Sequence, residues 1–387
     1  MINFNINRDI FLSEYQNSRP FFQKKSFDFS ITDEQIDEII LRSDVLDDDF
    51  KLNYKGKVLP KEKYIDGFQD IGKFRYKLNK AAFVSYMRNG ATVIANKIYN
   101  EPLIYKFHNE VEKYTGRPAL SSLYISYGGY NDSSFRSHWD TRDVFVMQLK
   151  GKKLWRLHKP NYELPLPTQQ SKDMEHIVTC PKTNPDFEFL LEEGDLLYVP
   201  RGWWHDPVPC GERTVHLSVG TYGVYRNDFL IWLINEELPN HLESRKYLNS
   251  FNSHDNLEDY AELIKQLLLD KNLLKKFNVQ HALKHFRSND NLHINSLCNP
   301  SVNKLDLDKQ ISLNLFHKVE DLNSDLIANG ILLKVDKRPD MEKIIKFIVN
   351  HSNVKVEEIL SEFSYLDVEY VQDMLFKLAC YDFIKVN

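Results

Sequence analysis

The alternation of apolar and polar positions is most regular between residues 121 and 222. Short runs rich in Val, Ile, Tyr and Phe recur there, each bounded by Gly, Pro, Asn or Asp: LSSLYISY, DVFVMQL, KLWRL, DLLYVP and TVHLSVGTY. Short β-branched and aromatic segments separated by turn residues are typical of antiparallel strands. The pattern therefore predicts an all-β sandwich or barrel in this part of the chain.

A tight turn is predicted at Lys150 and Gly151, because this pair separates two strand-like runs. If the two runs form one hairpin, Gln148 and Lys153 lie opposite each other on the same face. On its strand Lys153 also shares a face with Trp155, so its ammonium group is expected to point inward. A lysine in such a place needs an anionic partner unless its head reaches water, and the pattern leaves both possibilities open.

The stretches before and after this β region have a different pattern of apolar and polar residues. Residues 10–120 mix short helical patterns with polar loops, and residues 101–116 predict one amphipathic helix that ends at Gly116. After Tyr225 helical periodicity takes over, so residues 226–286 are predicted to be mostly helical. Residues 287–310 are polar and rich in Asn, which indicates a linker.

The end of the chain predicts a further unit. Asn329 and Gly330 lie between two apolar runs, a strong hairpin signal. Three short helical patterns follow, at 341–350, 356–363 and 368–380, and the strand-like FIKV closes the chain. This order is that of a winged-helix fold. The expected domains are therefore residues 1–225, 226–300 and 301–387.

Composition narrows the classes of function. The 387 residues are 42% hydrophobic, with 50 Lys and Arg against 55 Asp and Glu and a formal net charge of −5. This balance is typical of a globular protein and disfavours general binding to nucleic acid, which needs excess positive charge. The four cysteines are too far apart for a zinc pair or a dense disulfide framework, and no stretch is apolar enough to span a membrane. We therefore expect a cytoplasmic protein.

The sharpest candidate for chemistry is the pair His138 and Asp140. Residues at i and i+2 of a strand project from the same face and can bind one ion together. With 13 His and 55 acids in 387 residues, about two His-x-acid matches are expected by chance. Three exist, but those at His108 and His241 lie in helical patterns, where i and i+2 point apart.

A second feature raises this pair above chance. The segment EGDLLYVPRGWWH predicts a turn, a strand and a proline stop that place His205 at a strand end. Two His and one carboxylate on one side of an octahedral ion are the ligands of non-haem Fe(II) oxygenases. His216, on the next strand, is an alternative third ligand. The helical pair His281 and His285 could bind zinc, but no third ligand is evident nearby.

Together these motifs resemble the Jumonji-C, or cupin-like, Fe(II)- and 2-oxoglutarate-dependent oxygenases, in the bacterial branch that includes the ribosomal oxygenases. The resemblance rests on SHWD (137–140), DVFVMQLKGKKLWRL (143–157), LEEGDLLYVPRGWWH (191–205) and VHLSVGTY (215–222). It implies an α+β multidomain protein: a double-stranded β-helix (jelly-roll) catalytic domain over residues 1–225, a helical dimerisation region over 226–300 and a winged-helix-like domain over 301–387.

The resemblance also implies roles for individual residues. His138, Asp140 and His205 would bind the catalytic iron, and Lys153 would hold the C5 carboxylate of 2-oxoglutarate, the cosubstrate. Three residues on the preceding strand would help to line the cosubstrate pocket, namely Ser122, Tyr124 and Ser126. The implied activity is hydroxylation of a residue in a protein or peptide.

Several functions remain open beside this one. The substrate could be a ribosomally made natural-product precursor peptide or a methylated lysine, as in the histone demethylases. The protein could be a cupin that binds a metal without catalysis, or a DNA-binding regulator, although residues 340–387 are net acidic. The partners expected are a protein or peptide substrate, which the net negative charge suggests is basic, and a second copy of the chain. No membrane partner is expected.

Overall fold

The computed structural model describes residues 2–98, 101–127, 136–248, 257–285, 292–315, 326–335, 338–351 and 353–387. The chain divides into two compact units, Met1–Tyr222 and Gly223–Asn387. Within the described ranges, no helix combines the length and the apolar character that a membrane crossing requires.

The first unit is built on two antiparallel sheets, whose strands are numbered along the chain. In spatial order, the larger contains β1 (Phe21–Gln23), β11 (Leu196–Val199), β8 (Asp143–Lys150), β13 (Thr214–Thr221), β7 (Ala119–Ser126), β6 (Thr92–Ala95), β2 (Phe50–Tyr54) and β3 (Lys57–Val58). The smaller contains β10 (Phe187–Leu191), β9 (Lys153–His158) and β12 (Trp204–Pro209). The predicted strands between residues 121 and 222 are thus confirmed.

Strand β8 shows how the two sheets share a core. Val144 and Val146 belong to an apolar cluster with Trp155 and Leu157 of the smaller sheet. The alternate residues of β8, such as Phe145, pack into a second cluster with the N-terminal helices. Both faces of β8 are therefore covered, which explains why its sequence is almost continuously apolar.

The predicted hairpin between β8 and β9 is wrong. The two strands are not paired: β8 lies between β11 and β13, and β9 lies between β10 and β12. Gly151 adopts a positive φ of 65°, and a Cβ there would lie 2.0 Å from the carbonyl oxygen of Arg213. The turn therefore carries the chain from one sheet to the other, and Gln148 and Lys153 do not face each other across a hairpin.

The N-terminal part contains more strand than its sequence predicted. Strands β1, β2, β3 and β6 extend the larger sheet, and β4 (Ile65–Asp70) pairs with β5 (Lys73–Leu78) as a separate hairpin. The helices of this unit are α1 (Arg8–Ile10), α2 (Asp33–Arg42), α3 (Lys80–Arg88) and α4 (Pro102–Thr115). Helix α4 is the predicted amphipathic helix, and it ends at Gly116, whose φ is 69°.

The first part of the second unit is helical, as predicted. Its described residues form α5 (Arg226–Trp232), α6 (Glu258–Leu269), α7 (Lys271–Ala282) and α8 (Ile294–Leu297), joined by short 3₁₀ and π segments. Phe229 and Trp232 of α5 pack with Leu233 and with Phe277 of α7 in a small core.

The last part of the chain has its own apolar cluster. A sheet in the order β17 (Val354–Lys355), β14 (Gln310–Leu313) and β18 (Ile384–Val386) accompanies α9 (Pro339–Asn350), α10 (Val356–Glu362) and α11 (Val368–Cys380). The predicted hairpin is β15 (Leu326–Ala328) and β16 (Ile331–Leu333). Asn329 and Gly330 at its turn both have positive φ, as a two-residue type I′ turn requires.

Candidate active site

The three predicted metal ligands lie together in the first unit. His138 and His205 are paired in an antiparallel bridge, in which each main-chain N–H donates to the carbonyl oxygen of the other, at 3.1 and 2.8 Å. Nε2 of His205 is 3.8 Å from a carboxylate oxygen of Asp140. One possible ligand atom from each of the three residues lies within 4.8 Å of the other two. In the described ranges, this is the one group of three such residues.

The residue between the first two ligands fixes their direction. Trp139 is buried, packs edge-on against Trp204 with ring centres 4.6 Å apart, and donates from Nε1 to the carbonyl oxygen of Gln169. Because alternate residues of an extended chain point to opposite sides, this anchor turns His138 and Asp140 toward the site. The carbonyl oxygen of Asp140 also accepts from the amide of Gly202 at 2.9 Å.

Main-chain carbonyl groups set the tautomers of both imidazoles. Nδ1 of His205 donates to the carbonyl oxygen of Trp203 at 3.1 Å, and Nδ1 of His138 donates to that of Arg136 at 2.9 Å. A carbonyl oxygen only accepts, so each Nδ1 carries the proton and each Nε2 presents a lone pair. This is the outer hydrogen bond that orients histidine ligands in metal sites.

The charges in the site also suit a metal. Burial acts to raise the pKa of Asp140, but His205, Arg142 and His138 together lower it below its ordinary value. Burial, together with His138, lowers the pKa of His205 to about 4. At neutral pH the site therefore offers an ionised carboxylate and a neutral imidazole, which are the forms that bind metal ions.

An inner cavity adjoins the three ligands. Its wall also includes residues from both sheets, namely Leu120, Ser122, Tyr124, Arg142, Val144, Val146, Trp155, Val199, Pro207, His216, Ser218 and Gly220. Ser122 and Tyr124 thus lie where the sequence placed them. Burial, reinforced by Asp140, raises the pKa of Tyr124 to about 12, so its hydroxyl keeps its proton. Ser126 is buried further along β7 and is not among the lining residues described.

Lys153 is buried, with 3% of its surface exposed. Burial lowers its pKa to about 8, although Cys210 and Asp206 act to raise it. Among the residues that the structure describes, none forms a hydrogen bond or ion pair with its ammonium group. Of the two possibilities left open by the sequence, this geometry fits a Lys153 that points inward and needs an anionic partner, and not one whose ammonium group reaches water.

The alternative metal ligands occupy other positions. His216 stacks on Tyr124 with ring centres 4.7 Å apart, and it is not a member of the three-residue group. Burial and the nearby Lys153 hold the pKa of His216 well below its ordinary value, so it is neutral. His281 and His285 contact each other through ring nitrogens 3.0 Å apart, but no third ligand joins them within the described ranges.

Sequence reasoning missed Arg142 and the cleft outside the ligands. Arg142 follows Asp140 by two residues, just as Asp140 follows His138, so the same i, i+2 rule could have found it. A cleft of about 590 Å³ adjoins His138, Asp140 and Arg142, and it shares these three residues with the inner cavity. Its other lining residues include Asn53, Lys57, Arg136, Gln170, Ser171, Lys172, Glu175 and Trp204.

Comparison with known families agrees with this geometry. The family described as the JmjC domain matches residues 94–228, which contain all three candidate ligands. The match spans about a third of the chain. The resemblance expected from the motifs is thus confirmed, and the JmjC domain coincides with strands β7 to β13 and the start of α5.

Curated relatives match part of the chain. Ribosomal oxygenase 1 of Rattus norvegicus is 30% identical over 184 residues, which is 45% of this chain and 30% of the relative. The bifunctional lysine-specific demethylase and histidyl-hydroxylase NO66 of Dictyostelium discoideum is 40% identical over 106 residues, 26% of this chain and 19% of the relative. The chain therefore spans less than a third of the length of these relatives.

A solved structure extends the likeness of fold beyond the JmjC domain. The ribosomal oxygenase YcfD of Escherichia coli superposes with a TM-score of 0.57 at 17% identity, covering 100% of this chain and 99% of YcfD. A second structure of YcfD, with a TM-score of 0.57 at 16% identity and complete coverage of both chains, contains cobalt and 2-oxoglutarate. At 16–17% identity, this similarity to YcfD concerns the fold alone.

Proposed function

We propose that this protein is an Fe(II)- and 2-oxoglutarate-dependent oxygenase that hydroxylates a residue in a protein or peptide. One observation carries the proposal: two imidazoles and a carboxylate converge beside a cavity, and a buried lysine without a partner among the described residues lies in the same barrel. The JmjC domain and the ribosomal oxygenases among the relatives support it.

The residues present fit the proposed metal. His138, Asp140 and His205 would supply two nitrogen ligands and one oxygen ligand, a set suited to Fe(II) with coordination positions left open. Fe(II) together with 2-oxoglutarate supplies the oxidising power for hydroxylation of a C–H bond. The part played by the chain is to hold the ligands in the required tautomers.

The inner cavity also fits a dianionic cosubstrate. Two buried polar atoms on its wall, Nε1 of Trp155 and Nδ1 of His216, have no hydrogen-bonding partner among the described residues. We assign Lys153 to the far carboxylate of 2-oxoglutarate, because a buried ammonium group gains most from a charged acceptor. Ser122 and Tyr124 would add hydroxyl contacts, and the contact predicted for Ser126 remains a prediction.

A polypeptide is the proposed substrate class. The cleft outside the ligands has a volume of about 590 Å³, and the relatives include ribosomal oxygenases. A natural-product precursor peptide belongs to the same class. Demethylation of lysine appears in the name of one relative but is not the reaction favoured here. The basic partner expected from the net charge stays a prediction, and the local charge of the cleft favours a different one.

For the second unit we propose dimerisation through the helical part and a winged-helix-like fold for residues 301–387. Phe229 and Leu233 of this helical part are buried in their own small core. Ile231, Ile234, Leu268 and Leu269 remain exposed on the same group of helices, and a second copy would cover them. Light scattering at micromolar concentration tests this, and a monomer would contradict it.

The test of the proposed activity is conversion of 2-oxoglutarate to succinate by the purified protein supplied with Fe(II). We expect Asp140→Ala to abolish both turnover and stoichiometric iron binding, because it removes the single carboxylate ligand. His281→Ala is the matched control, since it alters the alternative histidine pair and leaves the proposed site intact. Full turnover by Asp140→Ala would contradict the proposal, as would loss of iron only in His281→Ala.

A further inference from the structure

The cleft outside the metal ligands is strongly cationic. Among the described residues, four cationic side chains line it, namely Lys57, Arg136, Arg142 and Lys172, against two carboxylates, Glu175 and Asp140. Asp140 is the proposed metal ligand, so a bound divalent ion would compensate its charge. The charge that remains to meet a substrate is therefore mainly positive.

In the described structure the charges of these four cations are not neutralised by direct ion pairs, although the nearby Asp140 acts to raise the pKa of Arg142. In the part of the chain that the structure describes, none of them forms an ion pair. Elsewhere on the same unit, Lys150 and Arg213 both pair with Asp33 at 2.7 Å. The surface next to the metal ligands thus differs from surfaces where cations are neutralised within the protein.

Arg142 is the cation nearest to the chemistry, and two neighbours fix its position. A Cβ at Gly220 would lie 2.7 Å from Cδ and 2.9 Å from Nε of Arg142, so the side chain occupies the space that a larger residue would fill. On another side, the guanidinium carbon lies 5.4 Å from the centre of the Tyr222 ring, and Nη1 donates to the Tyr222 hydroxyl. The guanidinium is therefore held in place beside the ligands.

The N–H donors of the Arg142 guanidinium favour binding of an anion. It carries five N–H groups, of which Tyr222 accepts one in the described structure. Arg142 lines both the inner cavity and the outer cleft, whereas Lys153 is buried and reserved for the cosubstrate in the function proposed above. A planar guanidinium matches a carboxylate through two parallel hydrogen bonds. An Arg or Lys side chain brought to the same place would meet a like charge.

We propose that Arg142 determines specificity by binding the carboxylate of an Asp or Glu side chain of the polypeptide substrate, with that acidic residue as the one hydroxylated. Lys57, Arg136 and Lys172 then attract acidic residues on either side of it. This inference rests on the proposed oxygenase function and names its substrate class.

The reaction balances with the reagents already named. A C–H bond of the acidic side chain breaks and a C–O bond forms, while 2-oxoglutarate is oxidised to succinate and CO₂. One atom of O₂ enters the hydroxyl group and the other enters succinate. The carboxylate held by Arg142 takes no part in bond changes, so its role is to place the neighbouring carbon.

The experiment uses the full chain with Fe(II), 2-oxoglutarate and pools of peptides that share random flanks around one fixed central residue. The fixed residue is Asp, Glu, Asn, Gln, Arg or His, and products are counted by mass spectrometry as a gain of one oxygen atom. We expect the Asp or Glu pool to gain oxygen at least about tenfold more than the Asn and Gln pools. Retention of the same pools by the protein without added iron gives a readout that does not depend on turnover.

The variant Arg142→Gln should abolish the preference for the acidic over the amide pool in both readouts. Arg156→Gln is the matched control, because Arg156 is exposed, pairs with Glu188 and lies outside the cleft. If Arg142→Gln does not fold, Gly220→Ala serves instead, since its Cβ displaces the same side chain. It should reduce the ratio of acidic to amide products.

The outcomes separate this inference from the function on which it depends. Oxygen gained mainly by the Arg, His or amide pools would overturn the role of Arg142, as would an unchanged ratio in Arg142→Gln. Succinate formed by the wild-type protein without any oxygenated Asp or Glu peptide would overturn it too. Absence of succinate under every condition would contradict the oxygenase proposal itself.

Discussion

The inner cavity and the outer cleft share two metal ligands but present positive charge in opposite ways. Beside the inner cavity, which Arg142 also lines, Lys153 is only 3% exposed, whereas four described cations line the cleft, of which Lys57, Arg136 and Lys172 are exposed. A buried charge is costly until its partner binds, so it discriminates strongly between ligands. Exposed charges each contribute little and are screened by salt. Under the proposed function, one site would thus combine strict selection of a small cosubstrate with graded attraction of a large substrate.

The largest expected effect comes from removing a candidate metal ligand, because both the inner cavity and the outer cleft adjoin the proposed metal site. His205→Ala should reduce iron binding and 2-oxoglutarate turnover to background, because it removes a nitrogen ligand that no other described residue replaces. His216→Gln provides the comparison, since His216 lies on the cavity wall outside the ligand group. We expect this variant to retain one iron per chain, measured by metal analysis. Loss of iron in His216→Gln, with iron retained in His205→Ala, would reverse the ligand assignment.

The next effect isolates the inner cavity. Lys153→Met should weaken binding of 2-oxoglutarate by about 2–5 kcal/mol, at least about 30-fold in the concentration required, and leave iron binding intact. Lys152→Met is the matched control, because Lys152 is exposed and pairs with Glu192 at 2.7 Å. Titration of succinate formation against 2-oxoglutarate measures both. Equal behaviour of the two variants would show that another cation holds the cosubstrate.

Lys153→Met, which should weaken binding of 2-oxoglutarate, should stabilise the folded protein when no 2-oxoglutarate is bound. Burial lowers the pKa of Lys153 from 10.5 to about 8. The unfolded chain therefore binds its proton more tightly, and the stability of the folded protein rises as pH increases from about 8 to 10.5. Below about pH 8 the penalty is fully present, so Lys153→Met should raise the free energy of unfolding at pH 7 by about 1–3 kcal/mol. Urea unfolding without cosubstrate measures this, and a less stable variant would contradict a buried, unpaired charge.

The smallest expected effect belongs to the outer cleft. Lys172→Gln should slow turnover of an acidic peptide about two- to fivefold at low salt, because an exposed charge contributes less than about 1 kcal/mol. The difference should shrink as ionic strength increases. Rates measured at two salt concentrations test it, with Lys159→Gln as the control, because Lys159 is exposed, pairs with Asp186 and is not among the residues lining the cleft. A loss that does not depend on salt would place Lys172 in direct, specific contact.

The sequence predicted the features that depend on local pattern. The strands of the JmjC domain, helix α4 and the Asn329–Gly330 hairpin each carry a periodicity or a turn signal that needs no distant partner. The candidate metal ligands could be proposed from the sequence because His138 and Asp140 share one face of an extended segment. The six strands of the N-terminal part, such as Lys57–Val58, were missed, since they become strands only by pairing with a neighbouring strand.

Features that depend on distant residues could not be predicted. Gly151 signals a turn, but only the carbonyl of Arg213, which lies against it, shows that the turn links two sheets and is not a hairpin. The cationic cleft draws Lys57, Arg142 and Lys172 from widely separated segments. Their sum has the opposite sign to the net charge of −5, which had suggested a basic partner.

The hydrogen-bonded bridge between His138 and His205 has a consequence for which ion the protein acquires. The main chain, and not the ion, sets the distance between the two imidazoles. The ligand set is therefore assembled before any metal binds. Binding then involves no rearrangement of the protein that could discriminate between ions of similar size. Two nitrogens and a carboxylate bind most first-row divalent ions, several of them more tightly than Fe(II). We expect the occupant to reflect the supply of metals in the cell in which the chain folds, so enzyme prepared where cobalt or nickel is abundant would be fully loaded and inactive.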